Sequence, residues 1–476
     1  MSIKITATTK EAYELFHEGS LALAEAEFNG IRCDRDYCEK MIANLARQEK
    51  ALTAQLEKTD LGIAFKQRYR NSTNFGSDHQ LRQILYTDMG LQTSRKTRGG
   101  KKGQQLASVD NTALESLGRD DVRLLLRIRN VQKMGNTYLK NLLQESEADG
   151  YIHPFFHLNS YDDDKGGGAR SYRGSSSDPN FQNQPNRHEQ DRKLVRRAFL
   201  PRPGHRLVGR DYGGIEVRIS ACNHQDKNMI RYIEQGDDMH RDCASMAFLL
   251  PQELCTKKAG RYGGEIRQTG KNAYVFPQFY LQQPENTARG LWGQMVEMPL
   301  RMPNDPDKTV QQHLKEKGIK SYDAFEKHII KVIEGFWTDM FPGFKKWRDK
   351  HIEAYNRKGY FDMLTGFRVE GVLTPFQLGN YPIQGPAFHC LLWSLIQVNK
   401  LWKGKGEGWR SKIVGQIHDE LTTDEHDEEF QTNQQEVIPI MAEDIRKHWD
   451  WIIVPLEVEA DATPVDGNWF EKKEVR

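Results

Sequence analysis

Asp419 and Glu420 follow His418 in Ile413–Asp424 (IVGQIHDELTTD), at the turn between two short apolar strand patterns. Neighbouring like charges repel, and a tight turn ordinarily takes Gly or Asn. Two carboxylates at a hairpin tip therefore suit a task other than stability, that of holding a hard divalent cation through oxygen. Another acid, Asp211, ends the apolar strand pattern of HRLVGRDYGGIE. Brought together, the strand-end carboxylates would make a site for two metals and a phosphate. Glu216 lies one turn into the helix pattern that follows, which buries Ile215, Ile219 and Cys222; it also reads as an ordinary first-turn acid that favours the helix dipole.

Arg267 and Lys271 stand at i and i+4 on one helix face. Adjacent cations want an anion between them, and a triphosphate tail fits, with Arg as a forked donor and Lys as a point charge. Taken alone, the pair reads as a solvated basic face. Tyr274, Phe276, Phe279 and Tyr280 follow within a short span, suited to stacking on a base or equally to a core. The stretch Ser94–Gly103, SRKTRGGKKG, gathers Arg95, Lys96, Arg98, Lys101 and Lys102; it reads as a solvated turn or as a phosphate-contacting tip. Carboxylates, cationic clamp and stacking surface are together the parts of two-metal nucleotidyl transfer.

The elements that hold these groups are mostly helical. Leu21, Leu23, Ala24 and Phe28 recur at helical spacing before Asn29-Gly30, and a second helix is expected over Tyr37–Leu56. Asn111–Leu143 is again helical, and Tyr161–Asn186, with its acidic and glycine runs, is a passage between modules. A strand at Arg206–Gly209 leads to a helix from Gly214; Pro251–Gly264 reads as a loop before a helix at Glu265, and helices continue to Arg357. A hairpin over Lys358–Val372, an apolar helix over Pro386–Trp402, the acidic hairpin, a helix over Asp427–Trp449 and a last strand, Ile452–Ala460, complete an α+β pattern.

At 476 residues the chain exceeds a single core, and more than one domain is expected. A formal net charge of +2 gives no global basicity, so nucleic-acid binding would rest on local distribution. The six cysteines form no CxxC pair, which implies reduced thiols in an intracellular protein. His240 with Cys243 is the one pair spaced for zinc, and with no second pair nearby the plain structural reading is preferred. No apolar run reaches membrane-spanning length, and the N-terminus has no signal-peptide core.

In this order the motifs resemble those of the family A DNA polymerases, the DNA polymerase I group. DYGGIE at Asp211 resembles motif A, the Arg267–Lys271–Tyr280 helix motif B, and QIHDE at Gln416 motif C. RGSSSDPNFQNQP from Arg173, GDDMHRDCA from Gly236, GYFDMLTGFR from Gly359, NYPIQG from Asn380 and LALAEAEFNGIRCD near the N-terminus resemble further family segments. The resemblance implies a right-hand polymerase fold: a helical thumb over 1–150 with its basic tip about 94–103, an antiparallel-sheet palm in 151–250 and 346–476, and helical fingers over 251–345.

It also implies roles. Asp211 and Asp419 would hold two Mg²⁺ ions with the Tyr212 carbonyl, and Glu420 would support that site. Lys271, Arg267 and His240 would hold the triphosphate of a dNTP, with Lys271 as a proton donor to pyrophosphate. Glu216 and Tyr280 would pair against a ribose 2′-hydroxyl, and Phe276 would face the nucleotide. Arg173, Asn380, Gln384 and His418 would contact the primer terminus and minor groove of primer–template DNA, with Arg95, Lys96, Lys101 and Lys102 on its phosphates. Motif B departs from the family, which spaces Lys and the aromatic by four residues. Here Val275 stands fourth, Phe276 fifth, and Pro277 follows. A bulge or kink is expected, leaving Phe276 and Tyr280 four apart; the alternative is a straight helix with Val275 facing the nucleotide, which would weaken base stacking. Motif A departs too, with Gly213-Gly214 where the family often has Ser-Gln.

The VFPQFY form resembles phage-type relatives, which implies a host cytoplasm. No Asp-x-Glu precedes Gly150, so no 3′–5′ exonuclease is expected on this chain, and a separate exonuclease or processivity protein is a candidate partner. The competing readings are a single-subunit RNA polymerase, a two-metal nuclease, and a catalytically silent primer–template-binding scaffold.

Overall fold

The computed structural model describes residues 7–93, 95–97, 105–158, 169–186, 188–297 and 299–475. The first helix, Thr9–Asn29, opens on a capping box in which Thr8 and Glu11 satisfy each other's free backbone donors. It buries Ala12, Leu15, Phe16, Gly19, Ala22, Leu23 and Ala26. Leu21 and Phe28 are instead 62% and 83% exposed. The expected stripe mixed two faces: Leu23 turns inward, while Leu21, Ala24 and Phe28 turn out. A Cβ on Gly19 would come within 2.8 Å of Leu392, so its absence lets this helix seat closely on the C-terminal half. A separate small core, with Leu56, Leu61, Phe65, Ile84 and Leu125, belongs to the helices beyond it, including Arg35–Leu56 and Asp120–Gln132. The tip of the N-terminal region thus has its own core, and its first helix joins the main one.

The functional groups rest on a five-stranded sheet. Its order is Lys412–Ile417, Glu420–His426, His205–Tyr212, Val458–Ala462 and Lys473–Glu474, all neighbours antiparallel. The last long strand begins at Val458, later than the expected Ile452, because Trp451–Leu456 pack as core without joining the sheet.

Beside the sheet runs the helix Pro375–Gly404, with Pro382 and Pro386 inside it. The sequence pattern set its start at Pro386; Thr374 and Gln377 in fact cap it eleven residues earlier. The prolines are tolerated because the lost bond is replaced. Pro386 offers no N–H to the carbonyl of Pro382, and the side-chain amide of Asn223 donates to that carbonyl at 2.9 Å. Helices make up most of 215–358, and Gly260–Gly270 begins before the expected Glu265, after two short 3₁₀ turns. Among the described residues, no helix is long and apolar enough to cross a membrane. All six cysteines are buried and unbridged, Cys33 and Cys38 lying 3.9 Å apart at sulfur.

Candidate active site

Ile417 pairs with Glu420, so His418 and Asp419 alone make the turn. His418 takes φ +60°, the left-handed region such a turn ordinarily gives to Gly. A non-glycine residue there costs on the order of 1–3 kcal/mol, a strain that functional sites tend to retain. The Asp419 carbonyl accepts the N–H of Tyr212 at 3.3 Å, which ties the tip to the end of the central strand. Tyr212 is anchored in turn, its hydroxyl donating to the Met441 carbonyl at 2.9 Å and sharing a hydrogen bond with Ser394.

In register, Asp211 is flanked by Glu420 on one strand and Glu459 on the other. Directly paired residues share a face, so three carboxylates stand abreast, with Asp419 beside them. Asp211 is exposed at the end of its strand, where it lines the cleft. Burial, then the charges of Asp419 and Glu420, push its pKa well up, and Lys271 pulls the other way. Burial also raises Asp419, against Arg173 and Lys271. Glu420 is neutralised locally: Lys472 Nζ lies 3.0 Å from its Oε1, and Thr422 donates to it at 3.2 Å. Gly209 makes room for that pair, since a Cβ there would stand 2.1 Å from Lys472 Nζ. With Glu420 so paired, Asp211, Asp419 and Glu459 are left as cleft-lining carboxylates with no ion-pair partner among the described residues. Among the described residues no three His, Cys, Asp or Glu groups converge as a complete shell. Two carboxylates with the remaining positions open to phosphate oxygens and water suit Mg²⁺.

The cationic side comes from a helix with an irregular turn. Arg267 lies near the end of Gly260–Gly270, and Lys271–Val275 forms a π-helical turn before Phe276–Phe279. The wider turn takes up the extra residue and lets Pro277 sit at the start of the next helical segment. Val275 goes into the core. Phe276 lines the cleft and stacks on Tyr280, ring centres 6.1 Å apart, with Lys271 Nζ 5.3 Å from its own ring centre. The anion beside Arg267 is Asp238, which accepts from Nε at 2.6 Å and Nη2 at 3.0 Å and also caps the helix carrying His240. Burial, with Lys271 and Arg267 nearby, pushes His240 down to about 3, so its ring is neutral near pH 7; its buried Nδ1 has no partner.

Beside Phe276 the Tyr280 hydroxyl donates to the Glu216 carboxylate and accepts from Gln384 at 3.2 Å. Burial raises Glu216, partly offset by that hydroxyl. The resulting cleft, about 1330 Å³, brings together Asp211, Tyr212, Asp419, His418, Arg173, Glu216, His240, Arg267, Lys271, Phe276, Tyr280 and Gln384.

Asn380, one turn before Gln384, does not line it; its side chain is buried and its Oδ1 has no partner. Lys96 and Arg95 lie apart from the cleft, Arg95 facing Asp110 at 3.8 Å, and Lys101 and Lys102 lie outside the described residues. Cys243 is fully buried while His240 faces the cleft, so the zinc spacing is incidental. Sequence reasoning missed Glu459, Lys472 and Asp238. Only Asp238 had a signal, an acid at the cap position before a helix. It also missed Arg129, Lys133 and Tyr138, which line the cleft from the N-terminal helices.

The family described as DNA polymerase family A matches residues 42–278. The thermostable DNA polymerase I of Thermus aquaticus is 25% identical over 467 residues, covering 96% of this chain and 48% of its own length. DNA polymerase I of Rhizobium leguminosarum is 27% identical, covering 94% of this chain and 39% of its own length. The chain thus spans about half the length, or less, of these curated relatives. A solved structure, the POL domain of Pol1 from M. smegmatis in complex with DNA primer-template and dNTP, superposes with a TM-score of 0.71 at 26% identity, over 95% of this chain and 70% of that one.

Proposed function

The chain belongs to DNA polymerase family A and has its right-hand fold, and we propose that it extends a primer 3′-hydroxyl with dNTPs, directed by a template and assisted by two Mg²⁺ ions. Use of divalent metal is general to the family. The residues here fit such ions: Asp211 and Asp419, both with raised pKa values, make a site that a cation relieves. When bound, the ions lower the pKa of the attacking hydroxyl and neutralise charge on the departing pyrophosphate.

The chain's own side chains do the rest. Asp211 and Asp419 hold the cations between them. Arg267 and Lys271 bind the triphosphate, and neutral His240 donates an N–H to it. Lys271 supplies a proton to the leaving pyrophosphate. Phe276 and Tyr280 offer stacked faces to the incoming base and sugar. Glu216, held by Tyr280, fills the space a ribose 2′-hydroxyl would need, a steric and desolvation barrier to RNA precursors. Arg173, His418 and Gln384 steady the primer terminus. Primer–template DNA and dNTPs are the proposed partners, and six free cysteines accord with a reducing cytoplasm.

The observation that carries this reading is the meeting of Asp211 and Asp419 in one cleft with Lys271, Arg267 and the Glu216–Tyr280 pair. Primer extension on a defined template, with each nucleotide class and with or without Mg²⁺, tests it. Cation-dependent addition of the templated dNTP is expected. Preferential NTP addition would favour the RNA polymerase reading, and no addition with intact DNA binding would favour the silent scaffold.

A further inference from the structure

Cys33 and Cys38 take no part in the cleft, yet they face each other sulfur to sulfur at 3.9 Å. They come from two elements that meet where the N-terminal helices join the main core. Cys33 ends the strand Ile31–Cys33. Cys38 lies in the first turn of the helix Arg35–Leu56, which Asp34 caps. The strand is fixed on both sides, by Tyr151–Ile152 and by Phe199–Leu200, so it holds Cys33 against the start of the helix.

The two thiols are not equivalent. Cys33 is 7% exposed, and Cys38 is fully buried. The hydrogen bond from Cys38 holds the Cys33 thiol below its ordinary range, against burial and with help from Ser146 and Arg35. The same bond, with burial, pushes Cys38 up. A thiol that ionises readily, backed by a second sulfur, has the arrangement of an attacking and a resolving cysteine. The other four cysteines, Cys222, Cys243, Cys255 and Cys390, are fully buried, and burial pushes their thiols up.

We propose that Cys33 and Cys38 form a site of reversible oxidation, closed to a disulfide by hydrogen peroxide and reopened by a dithiol reductant. The Cys33 thiolate attacks one peroxide oxygen and breaks the O–O bond. Cys33 becomes a sulfenic acid, and the departing hydroxide takes up the proton that Cys33 lost. The Cys38 sulfur then attacks Cys33 Sγ; the S–O bond breaks, and hydroxide leaves with the Cys38 proton as water. Two thiols and one peroxide thus give one disulfide and two waters. The sulfurs must close by about 2 Å to reach bonding distance. A reducing compartment keeps the pair open. Once closed, the bond fastens the start of Arg35–Leu56 to the strand beneath it. That helix carries Leu52 and Leu56 into the separate core of the tip, so the staple sits at the tip's attachment.

The test reads thiol chemistry and not turnover, so it stands apart from the polymerase reading. Native wild-type protein is treated with hydrogen peroxide, denatured, blocked with iodoacetamide and mapped by mass spectrometry after trypsin, with and without dithiothreitol. Cleavage after Arg32, Arg35 and Lys40 puts the two cysteines in separate peptides, Cys33–Arg35 and Asp36–Lys40. These should appear joined, about 2 Da lighter than the two reduced peptides together, and should part with dithiothreitol. The other four cysteines should be alkylated. In Cys38→Ser, Cys33 should stop at the sulfenic acid and take up dimedone; in Cys33→Ser, Cys38 should stay reduced. The oxidised wild type should melt about 2 °C or more above the reduced protein, with no such rise in Cys38→Ser. Free thiols at both positions after peroxide, a disulfide between other cysteines, or dimedone on Cys38 in place of Cys33 overturns the proposal. A joined pair that melts no higher than the reduced protein overturns the staple. If either variant fails to fold by circular dichroism, the wild-type map and melting curves decide alone.

Discussion

Arg210 and Asp211 are neighbours on one strand and point to opposite faces of the same sheet. Behind the sheet, Arg210 and Glu425 are both fully buried and form an ion pair, with Thr423 donating to Glu425 at 2.6 Å. At the cleft, Asp211, Asp419 and Glu459 stand close together with no cation at ion-pair distance among the described residues. Burial costs a charge much less when it is paired and hydrogen-bonded. A fold that pairs opposite charges on one face and masses like charge on the other has left the second face for a ligand to complete. Nearer the other end of the hairpin strand, on the same face as Asp211, Asp424 is fully buried and is held by Arg202, through its guanidinium at 2.7 Å and its backbone N–H at 3.1 Å.

Breaking each face should give opposite signatures. The largest expected effect is on activity. Asp419→Ala removes a carboxylate proposed to hold metal and should lower primer extension by several kcal/mol of barrier, roughly 10³-fold or more, with the melting temperature little changed. Extension within tenfold of wild type would end the metal assignment. On the back face, Glu425→Ala leaves a buried guanidinium unpaired and should cost about 3–5 kcal/mol in urea unfolding. A loss below about 1 kcal/mol would mean that Arg210 finds water or another partner.

Most of the residues that meet in the cleft were legible in the sequence because they sit in short local segments: a turn tip, a strand end, one helix turn. The partners that decide their electrostatics were not, since they arrive by register. Glu459 meets Asp211, and Lys472 meets Glu420, only once the C-terminal strands join the sheet. Asp238 reaches Arg267 from another helix. The first helix misled for a different reason: with apolar residues on two faces, spacing alone could not tell the inward Leu23 from the outward Leu21 and Phe28. The start of Pro375–Gly404 was hidden by prolines whose missing bond is mended by Asn223, distant in sequence.

A smaller effect sharpens the cleft side. Glu216→Ala should raise NTP use relative to dNTP by roughly 10- to 100-fold in single-turnover assays, because the Tyr280 hydroxyl loses its acceptor and the pocket gains space. Unchanged discrimination would place the barrier to ribose elsewhere.

The smallest effect is in stability against pH. Asp211 and Asp419 are held above the ordinary carboxylate range. Between the unfolded values and these raised ones, the folded, cation-free protein binds more protons than the unfolded chain. Stability therefore falls as pH rises through that window. Asp211→Asn should flatten the fall, seen as a higher melting temperature in EDTA at about pH 8 than wild type, with little difference at about pH 4. Mg²⁺ should raise the wild-type value more than the variant's. A variant that melts lower at every pH would show that the carboxylate stabilises the fold.

The π-turn at Lys271–Val275 has a consequence beyond the site it serves. One added residue in an unbroken α-helix rotates everything downstream by about 100°. Here the insertion is absorbed within a single turn, so the segments on either side keep their own angular settings. Variation in length at this point is uncoupled from the orientation of Tyr280 and the helices beyond, and the choice of ring presented to the cleft becomes a local, one-residue matter.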